Sequence, residues 1–214
     1  MNLVEVLIEQ VLENGCDKKV IDYKDVIGIC PYGSKVYGSD SEDSDFDYVV
    51  IHSNSNQQNN FYSTKNLDIH FMSEDHYNEL LKEHDIMAME VHYMSLKGNL
   101  PMNFTSTFEL SLPKLRKSVS SIASNSYVKA KKKMTLKDED THTGVKSLFH
   151  SLRIIELGID IARGKSFMFS NKALWISINY KAEELNYNWE QLNEIYKPIF
   201  NTYMTEFRKV APKV

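Results

Sequence analysis

The pattern of apolar and polar positions predicts strands and short helices in the first half of the chain and helices alone in the second. Leu3, Val4, Leu7, Ile8, Val11 and Leu12 recur at helical spacing up to Asn14-Gly15, which predicts a helix that packs on a sheet. Residues 26–30 form an apolar run read as a strand, with Pro31 at its end because proline cannot donate to a ladder. A Gly33-Ser34 turn and short helix lead to a second strand carrying Asp45 and Asp47 ahead of Tyr48, Val49 and Val50. Residues 54–60 are polar and read as a surface loop. Two strand-like runs follow, 61–64 and 67–71, with Lys65-Asn66 as the hairpin turn. Asp68 and His70 share one face of the second run, expected to be the face carrying Asp45 and Asp47.

Ser73 followed by Glu74 and Asp75 reads as a helix cap with acids in the first turn, and Tyr77, Leu80 and Leu81 continue that helix. Residues 85–94 form another apolar segment that Lys97-Gly98-Asn99 breaks, and 102–111 are irregular. From there the strand signals fade. Helices are predicted over 113–134, with Pro113 in the first turn, and over 143–161, 171–185 and 188–210. The fold class is α/β in the α+β sense: a mixed sheet with flanking helices, then a C-terminal helical bundle. The boundary falls near residues 99–112, giving domains 1–105 and 106–214.

Composition narrows the classes. The 214 residues suffice for one large domain or two small ones, and 42% hydrophobic with 25% charged residues is ordinary for a globular chain. A net charge of -4 gives no global pull toward nucleic acid, so such binding needs a local basic patch. Two cysteines, Cys16 and Cys30, exclude a disulfide framework or a cysteine zinc site, and Cys30 is expected as a buried thiol. With no basic leader and no apolar run of membrane-spanning length, the expectation is an intracellular, cytoplasmic protein without a membrane partner.

The chemistry gathers between Pro31 and Val50. Asp45 and Asp47, two residues apart on a strand, project to one face and repel, an arrangement that needs a cation; oxygen-only ligands favour Mg²⁺ or Mn²⁺ over zinc. Gly33 lets the backbone approach a ligand closely, and Ser34 at a helix start offers hydroxyl and amides to an anion. Gly33-Ser34, Gly38 and Ser44-Asp45-Phe46-Asp47 ahead of an apolar strand together resemble the signature of the DNA polymerase β nucleotidyltransferase superfamily. The resemblance implies a third carboxylate on a later strand, a slot that Asp68 fills. It further implies that the three aspartates hold two divalent ions, that a nucleoside triphosphate is co-substrate, and that an acceptor hydroxyl attacks the α-phosphorus with release of pyrophosphate. Ser34 would hold the triphosphate, and Lys35, Lys146 and Arg153 are candidates to neutralise it.

Residues 111–137 carry no acid but hold Lys114, Arg116, Lys117, Lys129, Lys131, Lys132, Lys133 and Lys137. Such a run fits phosphate neutralisation and equally fits a solvated helix face. Lys146, His150 and Arg153 fall on one helical stripe, apart from the apolar face of Val145, Leu148, Phe149, Leu152, Ile155 and Ile159. That stripe reads either as a polar face or as a contact to triphosphate or nucleic acid. With the segment 68–90 it resembles predicted minimal nucleotidyltransferases associated with RNA-repair gene clusters, a resemblance that does not itself name a substrate; taken with the basic stretch from Lys114 to Lys137, it makes an RNA or tRNA end the expected acceptor. Nucleotidylation (AMPylation) of a protein or small molecule such as an aminoglycoside, and an inactive nucleotide- or RNA-binding module, are the alternatives. His76, His84 and His92 recur every eight residues, not at zinc spacing, and are expected at the surface. Tyr187, Trp189, Tyr196, Phe200, Tyr203 and Phe207 are expected as helix-packing residues.

Overall fold

The structure, a computed structural model, describes residues 23–53, 60–63, 65–96, 108–136, 140–165 and 170–213. The helix expected over residues 3–12, Cys16, residues 54–59 of the polar loop and the 97–99 break lie outside them. The chain divides into two compact units, Met1–Glu109 and Leu110–Val214.

The first unit is built on a four-stranded mixed sheet. Strands β1 (Val26–Tyr32), β2 (Phe46–His52), β3 (Asn60–Ser63) and β4 (Leu67–Ser73) lie in the order β1-β2-β4-β3. β1 runs antiparallel to β2, β2 parallel to β4, and β3 antiparallel to β4, which follows it in the chain. Alternation sorts the side chains onto two faces. Ile29, Val50, Leu67, Ile69 and Phe71 form an apolar cluster with Tyr48 and Tyr62 against it. Burying each of the five cluster side chains is worth about 1.5–3 kcal/mol. Asp68 and His70 point the other way.

β1 runs two residues further than the sequence pattern suggests, through Pro31 to Tyr32. Among the described strands it lies at the sheet edge, where a missing N–H breaks no second ladder. Conversely, β2 begins at Phe46, whose N–H donates to the Asn66 carbonyl at 2.9 Å, so Asp45 sits just before the strand rather than in it.

Among the described residues, three α-helices flank the sheet: α1 (Ser34–Tyr37), α2 (Glu74–Lys82) and α3 (Ile86–Leu96). Ser73 caps α2 by accepting the His76 N–H at 3.3 Å, as its sequence predicts. α1 is a single turn, too short to stand alone. It is tied to α3 by the Tyr37 hydroxyl, which donates to Glu90 Oε2 at 2.7 Å in a buried position. Replacing Tyr37 with Phe is expected to lower stability by about 1.5–3 kcal/mol in urea denaturation, because it removes a hydrogen bond to a buried carboxyl. An unchanged midpoint would show that Glu90 is satisfied without it.

Cys30 is buried, as expected, with its Sγ 3.9 Å from Met94 Sδ on α3, and burial pushes its thiol up to about 12. His84 and His92 are buried, not at the surface. Both rings pack on Phe108, with centroids 5.0 Å away in each case, so they belong to an aromatic cluster that an eight-residue recurrence does not reveal.

The second unit contains α4 (Leu112–Thr135), α5 (Thr141–Ala162), α6 (Lys172–Glu184) and α7 (Trp189–Val210). Pro113 lies in the first turn of α4, and Asp140, Asn171 and Asn188 cap the other three by accepting the N–H of Thr143, Leu174 and Gln191 at 3.0, 3.2 and 3.0 Å. Two glycines let α5 pack closely. A Cβ on Gly144 would lie 2.6 Å from Met134 Cγ on α4, and one on Gly158 would lie 2.9 Å from Val119 on α4 and 3.0 Å from Phe207 on α7. α5 is therefore buried on nearly every side, Arg153 included at 3% exposure, which corrects its expected place on a polar stripe. Trp189, Tyr196, Phe200 and Phe207 are buried as expected. Among the described residues no helix is long and apolar enough to cross a membrane.

Candidate functional site

The register of the sheet builds the site. Tyr32 on β1 pairs with Asp47 on β2, Asp47 with Asp68 on β4, and Asp68 with Ser63 on β3, so one row of residues crosses the sheet. Directly paired side chains share a face, and Asp45, two residues before Asp47, joins them. One oxygen from each of Asp45, Asp47 and Asp68 lies within 4.8 Å of the other two, and all three residues are half-buried. At that separation each pair of carboxylates repels by about 1–3 kcal/mol for effective dielectric constants between water and a protein surface.

The turn before α1 is shaped by the same cluster. Gly33 has φ +78° and ψ -159°, a region essentially reserved for glycine. A Cβ there would strike Asp47, landing 2.5 Å from its Cγ and 2.8 Å from its Cβ. The Gly33 carbonyl takes the N–H groups of Val36 and Tyr37, while α1 uses neither the Ser34 nor the Lys35 N–H within its own turn. Gly38 ends the turn in the left-handed conformation. The glycine thus brings the backbone against a carboxylate, closer than any other residue allows.

Around the aspartates lies an aromatic border that the sequence reading missed. The Tyr32 ring meets His70 edge-on with centroids 5.5 Å apart, and Phe61 lies on the other side of His70 at 4.5 Å. Phe61 is 57% exposed, an unusual place for a large apolar ring beside a polar cluster. Burial raises the Tyr32 phenol well above its ordinary value, and Asp47, Asp68 and Asp45 raise it further, so the three acids act on one point. Burial lowers His70, with Asp68 opposing. Continuing the alternation of β1 past Pro31 would have revealed Tyr32; no local signal marks Phe61. Lys35 holds its Nζ 4.3 Å from the centroid of Phe46, the residue between Asp45 and Asp47.

The donor set fits a hard divalent cation. Asp68 Oδ1 is buried and has no hydrogen-bond partner. Three converging carboxylates offer oxygen alone, the chemistry of Mg²⁺ or Mn²⁺.

The remaining sequence candidates are in the second unit. His150 Nδ1 and Arg153 Nη2 are 3.3 Å apart on α5. Burial, then Arg153 and Lys129, push His150 down to about 3, from an ordinary 6.5. It is therefore neutral at pH 7. Since the unfolded chain takes up this proton below about 6.5 and the folded chain refuses it until about 3, stability falls as pH drops through that window. His150→Gln is therefore expected to lose less stability than the wild type between pH 7 and pH 5, read as the change in urea midpoint; equal losses would contradict the depressed value. Lys146 contributes its charge to His142, and Lys133 pairs with Asp140 at 3.4 Å. Lys129, Lys131 and Lys132 are exposed.

Comparison with solved structures finds a likeness to a nucleotidyltransferase-like protein from Exiguobacterium sibiricum 255-15, with 12% identity and a TM-score of 0.31 over 95% of this chain and 74% of that one. No family model and no curated protein matches the chain.

Proposed function

We propose that the chain is a metal-dependent nucleotidyltransferase that moves a nucleoside monophosphate from a nucleoside triphosphate to an acceptor hydroxyl, with an RNA end as acceptor and pyrophosphate as leaving group. The observation that carries this reading is the convergence of Asp45, Asp47 and Asp68 on one point, with a glycine turn pressed against Asp47.

Asp45, Asp47 and Asp68 would hold Mg²⁺ or Mn²⁺, two ions in the superfamily that the sequence resembles. Ions bound there supply Lewis-acid stabilisation of charge on phosphoryl oxygens. The Ser34 and Lys35 amides and the Ser34 hydroxyl would bind the triphosphate at the turn that Gly33 opens, and the Lys35 ammonium would offset its charge. Asp68 would take the proton of the acceptor hydroxyl, a role that its buried Oδ1, without a hydrogen-bond partner, supports. As the new O–P bond forms at the α-phosphorus, the bond to the β-phosphate bridging oxygen breaks and the pair leaves with pyrophosphate. The exposed Phe61 ring beside His70 suits stacking by a base. The RNA part of the reading is supported by the acid-free basic helix α4.

The test incubates the protein with each α-labelled nucleoside triphosphate, Mg²⁺ or Mn²⁺, and total cellular RNA, beside an RNA-free control containing cell protein. Label on an RNA band is the expected result. Label on protein alone would move the acceptor to a partner protein, and no label on either would remove RNA and protein as acceptors, leaving a small-molecule acceptor or a binding module.

A further inference from the structure

The second unit carries a cleft that the carboxylate site does not use. Pro113, Arg116, Lys117, Ser120, Arg208 and Lys213 line a space of about 720 Å³ where the start of α4 meets the end of α7. Four of these six residues are cations and none is an acid. Arg116 has a structural share in the arrangement, since its Nη1 donates to the carbonyls of Arg208 and Ala211 at 3.3 Å each and so satisfies the end of α7. Lys117, Arg208 and Lys213 are exposed.

The cleft opens onto a longer feature. Lys114, Lys117, Ser121, Ser124, Val128, Lys131 and Thr135 are all exposed and follow one another at alternating steps of three and four, which is one stripe along α4. Lysines stand at both ends of the stripe, and Lys132 adds a further exposed charge at the far end. The middle is small and uncharged. From Lys117 to Lys131 the helix rises about 21 Å. A single phosphate would occupy the cleft and leave the far lysines idle. An acidic peptide would look for apolar anchors, and the stripe offers Val128 alone.

We infer that the cleft of Arg116, Lys117, Arg208 and Lys213, continued by the exposed stripe of α4, binds the phosphodiester backbone of RNA. The spaced charges match an extended polyanion. The serines in between supply hydroxyl donors to phosphate oxygens and leave room for close approach. This rests on the reading of RNA as acceptor, but it assigns the anchoring to the amino-terminal end of α4 and to α7 as well as to the lysines near the end of α4.

The experiment measures binding of the full chain to a fluorescein-labelled, mixed-sequence single-stranded RNA of twenty nucleotides by anisotropy, without nucleoside triphosphate, across a series of salt concentrations. The variant Lys117→Gln/Arg208→Gln/Lys213→Gln is expected to bind about tenfold more weakly or worse and to lower the salt slope by about 2. Lys131→Gln/Lys132→Gln should weaken binding separately, whereas Lys165→Gln/Lys172→Gln, exposed lysines elsewhere in the unit, should not. Circular dichroism melts check that each variant is folded. Undiminished RNA binding by the cleft variant would overturn the site. So would a wild type that binds inorganic phosphate but not RNA, which would make the cleft a small-anion site. Because no transfer is measured, the outcome is separate from that of the labelling test: RNA binding can be lost at the cleft while label still reaches protein, and it can hold while transfer fails.

Discussion

Asp47→Asn is expected to abolish the proposed nucleotidyl transfer, lowering its rate about a thousandfold or more, while the protein melts no lower than the wild type. The first part follows from the place of Asp47 at the centre of the paired row, between Tyr32 and Asp68 and against Gly33. On the proposed function, losing its charge would remove a metal ligand that supports the stabilisation of phosphoryl charge, and about 4 kcal/mol of that stabilisation is a factor of a thousand. The second part follows from electrostatics: without a cation, three acids within 4.8 Å repel, and neutralising one relieves the repulsion. A readout independent of activity comes from Mg²⁺ itself. In the wild type, Mg²⁺ at ten times its Kd should stabilise the fold by about 1.4 kcal/mol, and in Asp47→Asn that gain should vanish. Wild-type activity in the variant, or an undiminished response to Mg²⁺, would take Asp47 out of the site.

Gly33→Ala is the second large effect, and it differs in kind because it should damage stability and activity together. The backbone at φ +78° and ψ -159° costs a residue with a side chain about 1–3 kcal/mol. The added methyl also collides with Asp47, so the carboxylate or the turn must move. The expectation is a melting temperature several degrees lower, a loss of transfer approaching that of Asp47→Asn, and a reduced stabilisation by Mg²⁺. A variant that is destabilised but turns over normally would show that the close approach of turn and carboxylate serves folding alone.

Much of this arrangement was legible in the sequence where local rules govern. Alternation placed Asp68 and His70 opposite Leu67, Ile69 and Phe71, and the structure keeps them so. The capping serine at Ser73 and the long helices of the second unit followed from short-range chemistry, with ends within two residues of those observed. What escaped depends on neighbours distant in the chain. The pattern reads Pro31 as a stop because it does not say that β1 lies at an edge among the described strands. It gives His84 and His92 to solvent since nothing nearby announces that they pack on Phe108. It puts Arg153 on a polar stripe because its helix looks amphipathic, whereas packing on α4, α6 and α7 surrounds that helix. The contact between Gly33 and Asp47 is of the same sort, since the register that creates it is not written in either segment.

The two glycines of α5 carry a consequence for how this chain can diverge. Gly144 meets Met134 and Gly158 meets Val119, so the α4–α5 hairpin is clamped at two points about 22 Å apart on α4. Between the clamps neither helix can gain or lose a residue without forcing a side chain into the other. The hairpin therefore behaves as a ruler of fixed length. The span separating the lysines at the two ends of α4 is thus set by the interior of the unit.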